Sequence, residues 1–386
     1  MKPVRFGLIG CGGVAEDHAL SIRGERAPVE EAKDAAEASL LGLGRQLARR
    51  LLGRNNHKEE KVLAPGIEGA EIVAISDVNR ERLARFSHTY EIRDTYEDYR
   101  ELLARKDIDA VIISTPPTLH PEITIAAAQR GKHVFCEKPM ALTSSQCGKM
   151  IEATEKARVI LQIGYVLRFS SDRERIREAI QNNQIGRPVF WREIYNPRAG
   201  GTQRWVHDQD LGRGVLWENS HMLDFIRYVF GDPDLVSAIG GRYKPDDTSA
   251  LDTIGILLTF PSGDKALLTD SYALKGFNWS TIGRRRNQLQ IDVVGTKGVI
   301  QFPDRDLSER LTIQTYADPK DQIETIPWSN EWGANGYKRE LEHFCDCVRE
   351  GKPSRAPGSE GLRTIQLAET ILRSIQTGNV CRFSEA

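Results

Sequence analysis

The chain opens on a short apolar run, residues 4–9, that stops at Gly10-Cys11-Gly12-Gly13-Val14-Ala15, after which apolar positions recur at helical spacing. A strand, a glycine turn and a helix are expected there. Further apolar runs at 71–76, 110–114, 133–136 and 159–164 alternate with helical stretches, one of which Pro121 opens in its first turn and Gly131 closes. Strands alternating with helices predict a parallel, doubly wound sheet. From Pro188 onward the pattern changes to strand-like runs at 189–195, 235–243, 253–260, 266–273 and 289–294, with turn sequences such as Pro261-Ser262-Gly263-Asp264 and Gly295-Thr296-Lys297-Gly298. These predict a broad antiparallel sheet with one face on helices and one available to a second copy of the chain. A helix is expected over 218–230, and two more, 336–349 and 360–377, close the chain. The expected fold is an α/β Rossmann domain over 1–165, then an α+β domain with a large, mainly antiparallel open sheet over 166–386. That second domain would serve substrate binding and oligomerisation, with the closing helices packed back on the first.

One spacing departs from this plan. In dinucleotide-binding units an acid follows the glycine turn by about 20 residues, yet Asp77, at the end of the second apolar run, lies 62 positions after Ala15. The extra residues form an insertion at about 26–65. Within it, 29–52 reads as an amphipathic helix with acids at its start and arginines at its end, suited to the helix dipole. The insertion leaves the first helix and re-enters at the second strand, on the side away from a ligand crevice, so packing on its own domain or on a second subunit is expected.

Composition narrows the function. The 386 residues carry a formal charge of -1, which supplies no global field for nucleic acid or an anionic membrane. No run approaches the length of a membrane span, and no signal-peptide pattern precedes the first strand. A cytoplasmic protein with a small-molecule partner is expected, with neither nucleic acid nor membrane involved. The six cysteines and eight histidines show neither disulfide nor zinc spacing, and no metal is expected.

The candidate chemistry lies where the predicted strands end. Gly10 permits the turn, Gly12 and Gly13 leave room for a pyrophosphate, and Val14 begins a helix whose N-terminus favours phosphate. Asp77 is placed to accept ribose hydroxyls and to repel a 2′-phosphate, which favours NAD over NADP, with nearby Arg80 softening the preference. Thr115, Pro116, His120, Glu137, Lys138 and Tyr165 project toward the same crevice. If 218–230 is one helix, His221 lies three residues from both Glu218 and Asp224, between two carboxylates. Position alone leaves a packing role for His221 open.

In their order along nearly the whole chain, several motifs resemble the Gfo/Idh/MocA family of NAD(P)-dependent oxidoreductases. They are the Gly10 turn with Val14-Ala15 and His18, Thr115-Pro116-Pro117 with His120, Glu137-Lys138-Pro139, Gly164-Tyr165 with Arg168-Phe169, the segment from Gly214 to Asp224, Gly295-Thr296-Lys297-Gly298, and the final helix from Gly361 to Gly378. The resemblance implies Lys138 and His221 as the catalytic pair, with Glu218 as partner. Many members place an acid four residues before this histidine, where this chain has Trp217; Glu218 stands three before, as in one branch of the family. The implied activity is hydride exchange between NAD and a hydroxyl-bearing carbon of a sugar, cyclic polyol or sugar derivative. Thr115, Pro116, His120, Glu137 and Lys138 would contact the cofactor, and Tyr165, Arg168, Trp205 and Asp224 the substrate. A homo-oligomer, dimer or tetramer, is expected. Two rival readings are a glycoside-cleaving enzyme using transient oxidation and elimination, and a non-catalytic NAD(H) sensor.

Overall fold

The computed structural model describes residues 3–24, 65–195, 204–244, 248–273, 289–302, 310–316, 320–327 and 334–385. The expected inserted helix, 29–52, lies outside the described residues. Six strands form the first sheet: β1 (Val4–Ile9), β2 (Ala70–Ser76), β3 (Thr95–Tyr96), β4 (Ala110–Ile113), β5 (His133–Cys136) and β6 (Leu161–Ile163). All neighbours run parallel, in the order β3-β2-β1-β4-β5-β6. Helices α1 (Gly13–Arg23), α2 (Arg80–Tyr90), α3 (Tyr99–Leu103), α4 (His120–Gln129) and α5 (Ser144–Ala157) connect them.

Register decides what this sheet presents. Ser76 pairs with Ile9, Ile9 with Ile113, Ile113 with Cys136 and Cys136 with Ile163. The carboxyl ends are therefore flush, and Asp77, Gly10, Ser114, Glu137 and Gly164 occupy the next row. The strand order reverses between β1 and β4, the position where such sheets open a ligand crevice.

The second sheet has nine strands in the order β14-β13-β12-β11-β7-β10-β9-β8-β15. They are β7 (Phe190–Tyr195), β8 (Leu235–Gly241), β9 (Thr253–Thr259), β10 (Lys265–Ser271), β11 (Leu289–Val294), β12 (Gly298–Phe302), β13 (Arg310–Thr315), β14 (Gln322–Pro327) and β15 (Cys381–Arg382). Among the described residues of this sheet, only β7 and β10 pair in parallel. Alternation sets the faces: on β10, Ala266, Leu268 and Asp270 are buried while Lys265 and Leu267 are exposed. The outer face leaves Ile194, Ile239, Leu257, Leu267, Val294 and Ile323 exposed. The inner face carries α6 (Ser171–Gln181), α7 (Val215–Glu218) and α8 (Ser220–Phe230). Two strands end earlier than the apolar runs suggest, β8 at Gly241 and β10 at Ser271. The strands β12, β13 and β14 were not expected from the sequence. No helix among the described residues is long and apolar enough to cross a membrane.

The expected helix over 218–230 is two helices, because the chain breaks at Asn219 (φ -89°, ψ 24°). Of the two closing helices, α9 (Ala334–Glu350) lies against α1, and α10 (Gly358–Thr377) lies against α5, α8 and β8. Leu341, Phe344 and Cys345 of α9 thereby join Phe6 and Phe135 in the core of the first sheet. The same helix buries Glu340 completely, and among the described residues neither carboxylate oxygen has a hydrogen-bond partner. Its carboxylate comes within 4.8 Å of the His18 ring nitrogen and the Glu137 carboxylate, which are themselves 2.7 Å apart.

Burial, with the Glu137 charge adding to it, pushes Glu340 well above the usual carboxylate range. The unfolded chain releases this proton near pH 4.3, whereas the folded protein keeps it to higher pH. Folding thus takes up a proton, and the resulting stability falls as pH rises above the unfolded value. Glu340→Gln keeps the shape without the ionisation. In thermal melts it should exceed the wild type at pH 8 and lose that advantage toward pH 5, with a slope of at most about 1.4 kcal/mol per pH unit. Equal destabilisation at both pH values would show instead that the carboxyl group itself is required.

Candidate active site

The glycine turn is fixed by space. Gly10 has φ +91°, and a Cβ there would sit 2.7 Å from the Ser114 carbonyl oxygen, so no side chain fits. At Gly12 and Gly13 a Cβ would meet nothing within 4 Å, which leaves an open side beside the start of α1. Gly12 is the N-cap and brings no side-chain cap, so the first-turn N–H groups, Val14 among them, face that open side. This is a cradle suited to a pyrophosphate.

Asp77, at the end of β2, accepts the Cys11 N–H on Oδ2 (2.8 Å) and the Asn79 N–H on Oδ1 (2.8 Å). It thereby ties the turn to the second strand and stays beside the crevice. The cation on this carboxylate is Arg82, 3.3 Å away, and not Arg80, which pairs with Glu97 at 2.7 Å. The start of α2 turns Arg82 toward the strand end and carries Arg80 outward, a distinction that sequence proximity does not make.

His120 is buried, with Nδ1 3.0 Å from the Pro139 carbonyl and Nε2 2.9 Å from the Thr115 carbonyl. It clamps the loops after β4 and β5, so it shapes the crevice through Thr115, Pro116 and Pro139 rather than offering a nitrogen to the cofactor. Glu137 holds His18 through Oε1 (2.7 Å) and accepts the Lys138 N–H on Oε2 (3.1 Å). Its neighbour Gly164 packs close against it, so that a Cβ there would lie 3.0 Å from the Glu137 carboxylate and oblige it to shift.

Lys138 reaches from the first sheet to the second unit. Its Nζ donates to the Glu218 carbonyl oxygen at 3.0 Å and lies 3.2 Å from Glu218 Oε1. The break at Asn219 makes this contact possible by turning the end of α7 toward β5. It also removes the expected carboxylate flanks of His221: Glu218 faces Lys138, and Asp224 faces Arg168. His221 is 5% exposed, and burial pushes its pKa well below the usual value, with the Lys138 and Arg173 charges acting in the same direction. Its neutral form is therefore favoured, where flanking carboxylates would have favoured the cation. The buried ring of Tyr165 stands edge-on to it, centroids 6.3 Å apart.

Arg168 and Asp224 form a buried fork, with Nε and Nη2 donating to the two carboxylate oxygens at 2.8 and 2.7 Å. Nη2 also meets Glu360 (2.9 Å), and Nη1 donates to the Arg355 carbonyl (2.8 Å). Every nitrogen of Arg168 is thus engaged within the protein, and the pair fastens α8 to α10 beneath the site instead of facing a ligand. Trp205 is half-buried beside Gly212, where a Cβ would lie 2.5 Å from its carbonyl oxygen. Missing from the sequence reading is the polar wall behind His221. A small cavity there is lined by Arg173, Glu193, Tyr195, Asn219, His221 and Leu289. Glu193 alternating with Trp191 and Tyr195 was the available signal, a charge on the inward face of a strand.

Residues 4–165 match a family model described as the oxidoreductase family, NAD-binding Rossmann fold, and residues 177–382 match the C-terminal alpha/beta domain of the same family. The first domain is an NAD-binding domain. Myo-inositol 2-dehydrogenase of Thermotoga maritima is 28% identical over 325 residues, covering 83% of this chain and 93% of its own. The scyllo-inositol 2-dehydrogenase (NAD(+)) of Bacillus subtilis is 27% identical over 331 residues, 85% of this chain and 93% of its own. In structure, an oxidoreductase from Agrobacterium radiobacter, solved with NAD+, L-tartaric acid and magnesium, superposes with TM-score 0.78 at 20% identity, covering 100% of this chain and 99% of that one. With both domain models matched in order over nearly its whole length, the chain belongs to the Gfo/Idh/MocA family of oxidoreductases.

Proposed function

We propose that the protein is an NAD-dependent dehydrogenase or reductase acting at a hydroxyl-bearing carbon of a sugar, cyclic polyol or sugar derivative. The observation that carries this reading is the meeting of Lys138 with Glu218 across the two units, beside a buried His221 whose neutral form is favoured. Bound NAD supplies the hydride acceptor. In the direction of oxidation, neutral His221 accepts the proton of the substrate hydroxyl, while Lys138 donates to the same oxygen and stabilises the charge that develops on it. Glu218 acts on Lys138, holding the ammonium group in place. In the reverse direction His221 returns the proton. Glu137 steadies the turn that carries Lys138, and Tyr165 closes one side of His221.

The inositol dehydrogenases among the relatives favour net oxidation or reduction of a polyol over the elimination and sensor readings. For the cofactor, the Asp77 charge disfavours a 2′-phosphate, and Arg82 offsets part of that effect.

Lys138→Met and His221→Ala should each lower turnover by about 10²–10⁴-fold with NAD affinity nearly unchanged, because the pyrophosphate cradle lies at the Gly10 turn. The double variant should lose much less than the product of the two effects. Steady-state rates at saturating NAD on a panel of polyols and sugars check this, and near-normal turnover in either single variant removes that residue from the mechanism. Asp77→Ser should narrow the gap between NAD(H) and NADP(H) affinities. Titrations in which the wild type prefers NADP(H) would overturn the NAD assignment.

A further inference from the structure

The inner face of the nine-stranded sheet changes character along its length. Across β7 and β10, Trp191 sits beside Ala266, Glu193 beside Leu268 and Tyr195 beside Asp270. Tyr272, also buried, follows Asp270 on the same side. The packing is apolar under the body of α8 and turns polar toward the α7–α8 break, where Asn219 and His221 join Glu193 and Tyr195 in one cavity wall. Most of these polar groups answer one another. Glu193 accepts from Arg173 (2.8 Å) and from the Trp191 indole (3.0 Å).

Asp270 differs. It is 1% exposed, and among the described residues no side chain donates to either carboxylate oxygen, the Ser271 backbone being its one neighbouring donor. Asn219, 6% exposed, turns its side chain toward Tyr272, and among the described residues no acceptor lies within hydrogen-bond distance of its Nδ2. Folded proteins satisfy nearly all their buried polar groups, and each exception calls for a physical reason. Here one group is an acceptor and the other a donor; Asn219 lines the cavity with His221, and Asp270 stands beside Tyr195 of the same wall. Burial pushes the Asp270 carboxyl well above the ordinary range, and the nearby charges of Glu218 and Glu193 push it the same way. A hydroxyl, which both donates and accepts, matches Asp270 and Asn219 alike, whereas the two cations at this wall, Arg173 and Lys138, are already held by Glu193 and Glu218, so a phosphate or carboxylate would meet the Asp270 carboxyl without a cation to receive it.

We propose that Asp270 and Asn219 bind substrate hydroxyls other than the one oxidised, and that this floor selects a neutral polyhydroxylated ring over an anionic sugar. The inference rests on the dehydrogenase reading above and adds to it a specificity residue, supplied by the sheet rather than by the sequence motifs.

The test is kinetic, on the full-length protein with saturating NAD. Wild type is assayed on myo-inositol, D-glucose, D-glucose 6-phosphate and D-glucuronate, and the better neutral compound is then compared with its monodeoxy derivatives. The neutral compounds should lead the anionic ones by about tenfold or more in kcat/KM, and at least one deoxygenation away from the oxidised carbon should cost about 10–100-fold, the range for leaving a buried polar group without its hydrogen bond. Asp270→Val should raise KM by a similar factor with a smaller change in kcat, without lowering the melting temperature or NAD affinity. Asp270→Asn, which retains hydrogen bonding, should recover most of the loss. An anionic substrate preferred by the wild type, indifference to every deoxygenation, or a wild-type KM in Asp270→Val overturns the inference while leaving the dehydrogenase reading intact. Absence of NAD reduction with any of these compounds counts against both. Should Asp270→Val fail to fold, the wild-type comparison of deoxy compounds still decides.

Discussion

The site depends on one ion pair that crosses between the two halves of the molecule, Lys138 at the end of β5 and Glu218 at the end of α7. The flush carboxyl ends of the first sheet set one partner, because Cys136 is in register with Ile113 and Ile163, so the next residues emerge at the rim. The break at Asn219 sets the other, since a continuous helix would keep Glu218 on the face of His221. Separated from its carboxylate neighbours, His221 lies near cations instead. Burial and those charges favour its neutral form, the state a proton acceptor requires.

Around this pair the protein handles buried charge in two ways. Some groups are matched: Arg168 with Asp224 in a buried fork that also meets the half-buried Glu360, and Arg173 with Glu193 through its two terminal nitrogens. Removing one member of such a fork leaves an uncompensated charge, which makes them rigid supports rather than ligand groups. Others are left unmatched. Glu340 sits against Glu137 and His18 at the seam between α9 and α1, and Asp270 sits on the sheet floor. The first lies behind the turn that carries Lys138, and the second lies near Glu218 on the substrate side.

The parallel sheet, its glycine turn and the row of strand-end residues were legible in the sequence because a buried parallel strand is a nearly continuous apolar run and its termination marks the crevice. The second sheet was only partly legible. The strands β13 and β14 carry Thr, Gln and Glu at alternate positions, so their apolar signal is weak, and β12 follows its hairpin turn too closely to stand out as a separate run. The site divided in the same way. Lys138, Glu218 and His221 were singled out through motifs, but how they sit relative to one another was not legible, since helical spacing cannot reveal a break at an asparagine. Arg168, Asp224 and His120 were expected at the ligand because motif membership does not distinguish a side chain that touches substrate from one that holds the residues that do. Asp270 had no motif; only the register beside Tyr195 brings it to the site.

The state of His221 is the most direct point of test. Its imidazole signals, followed by NMR across a pH titration in the wild type and in Lys138→Met, report the ionisation itself. Burial and nearby positive charge favour the neutral form, so the wild-type ring should protonate well below pH 6.5. Loss of the Lys138 charge should move that midpoint upward, with burial still holding it below the ordinary value. A wild-type midpoint at or above 6.5, or one that Lys138→Met leaves unmoved, would contradict the coupling of Lys138 and His221 across the two halves of the molecule.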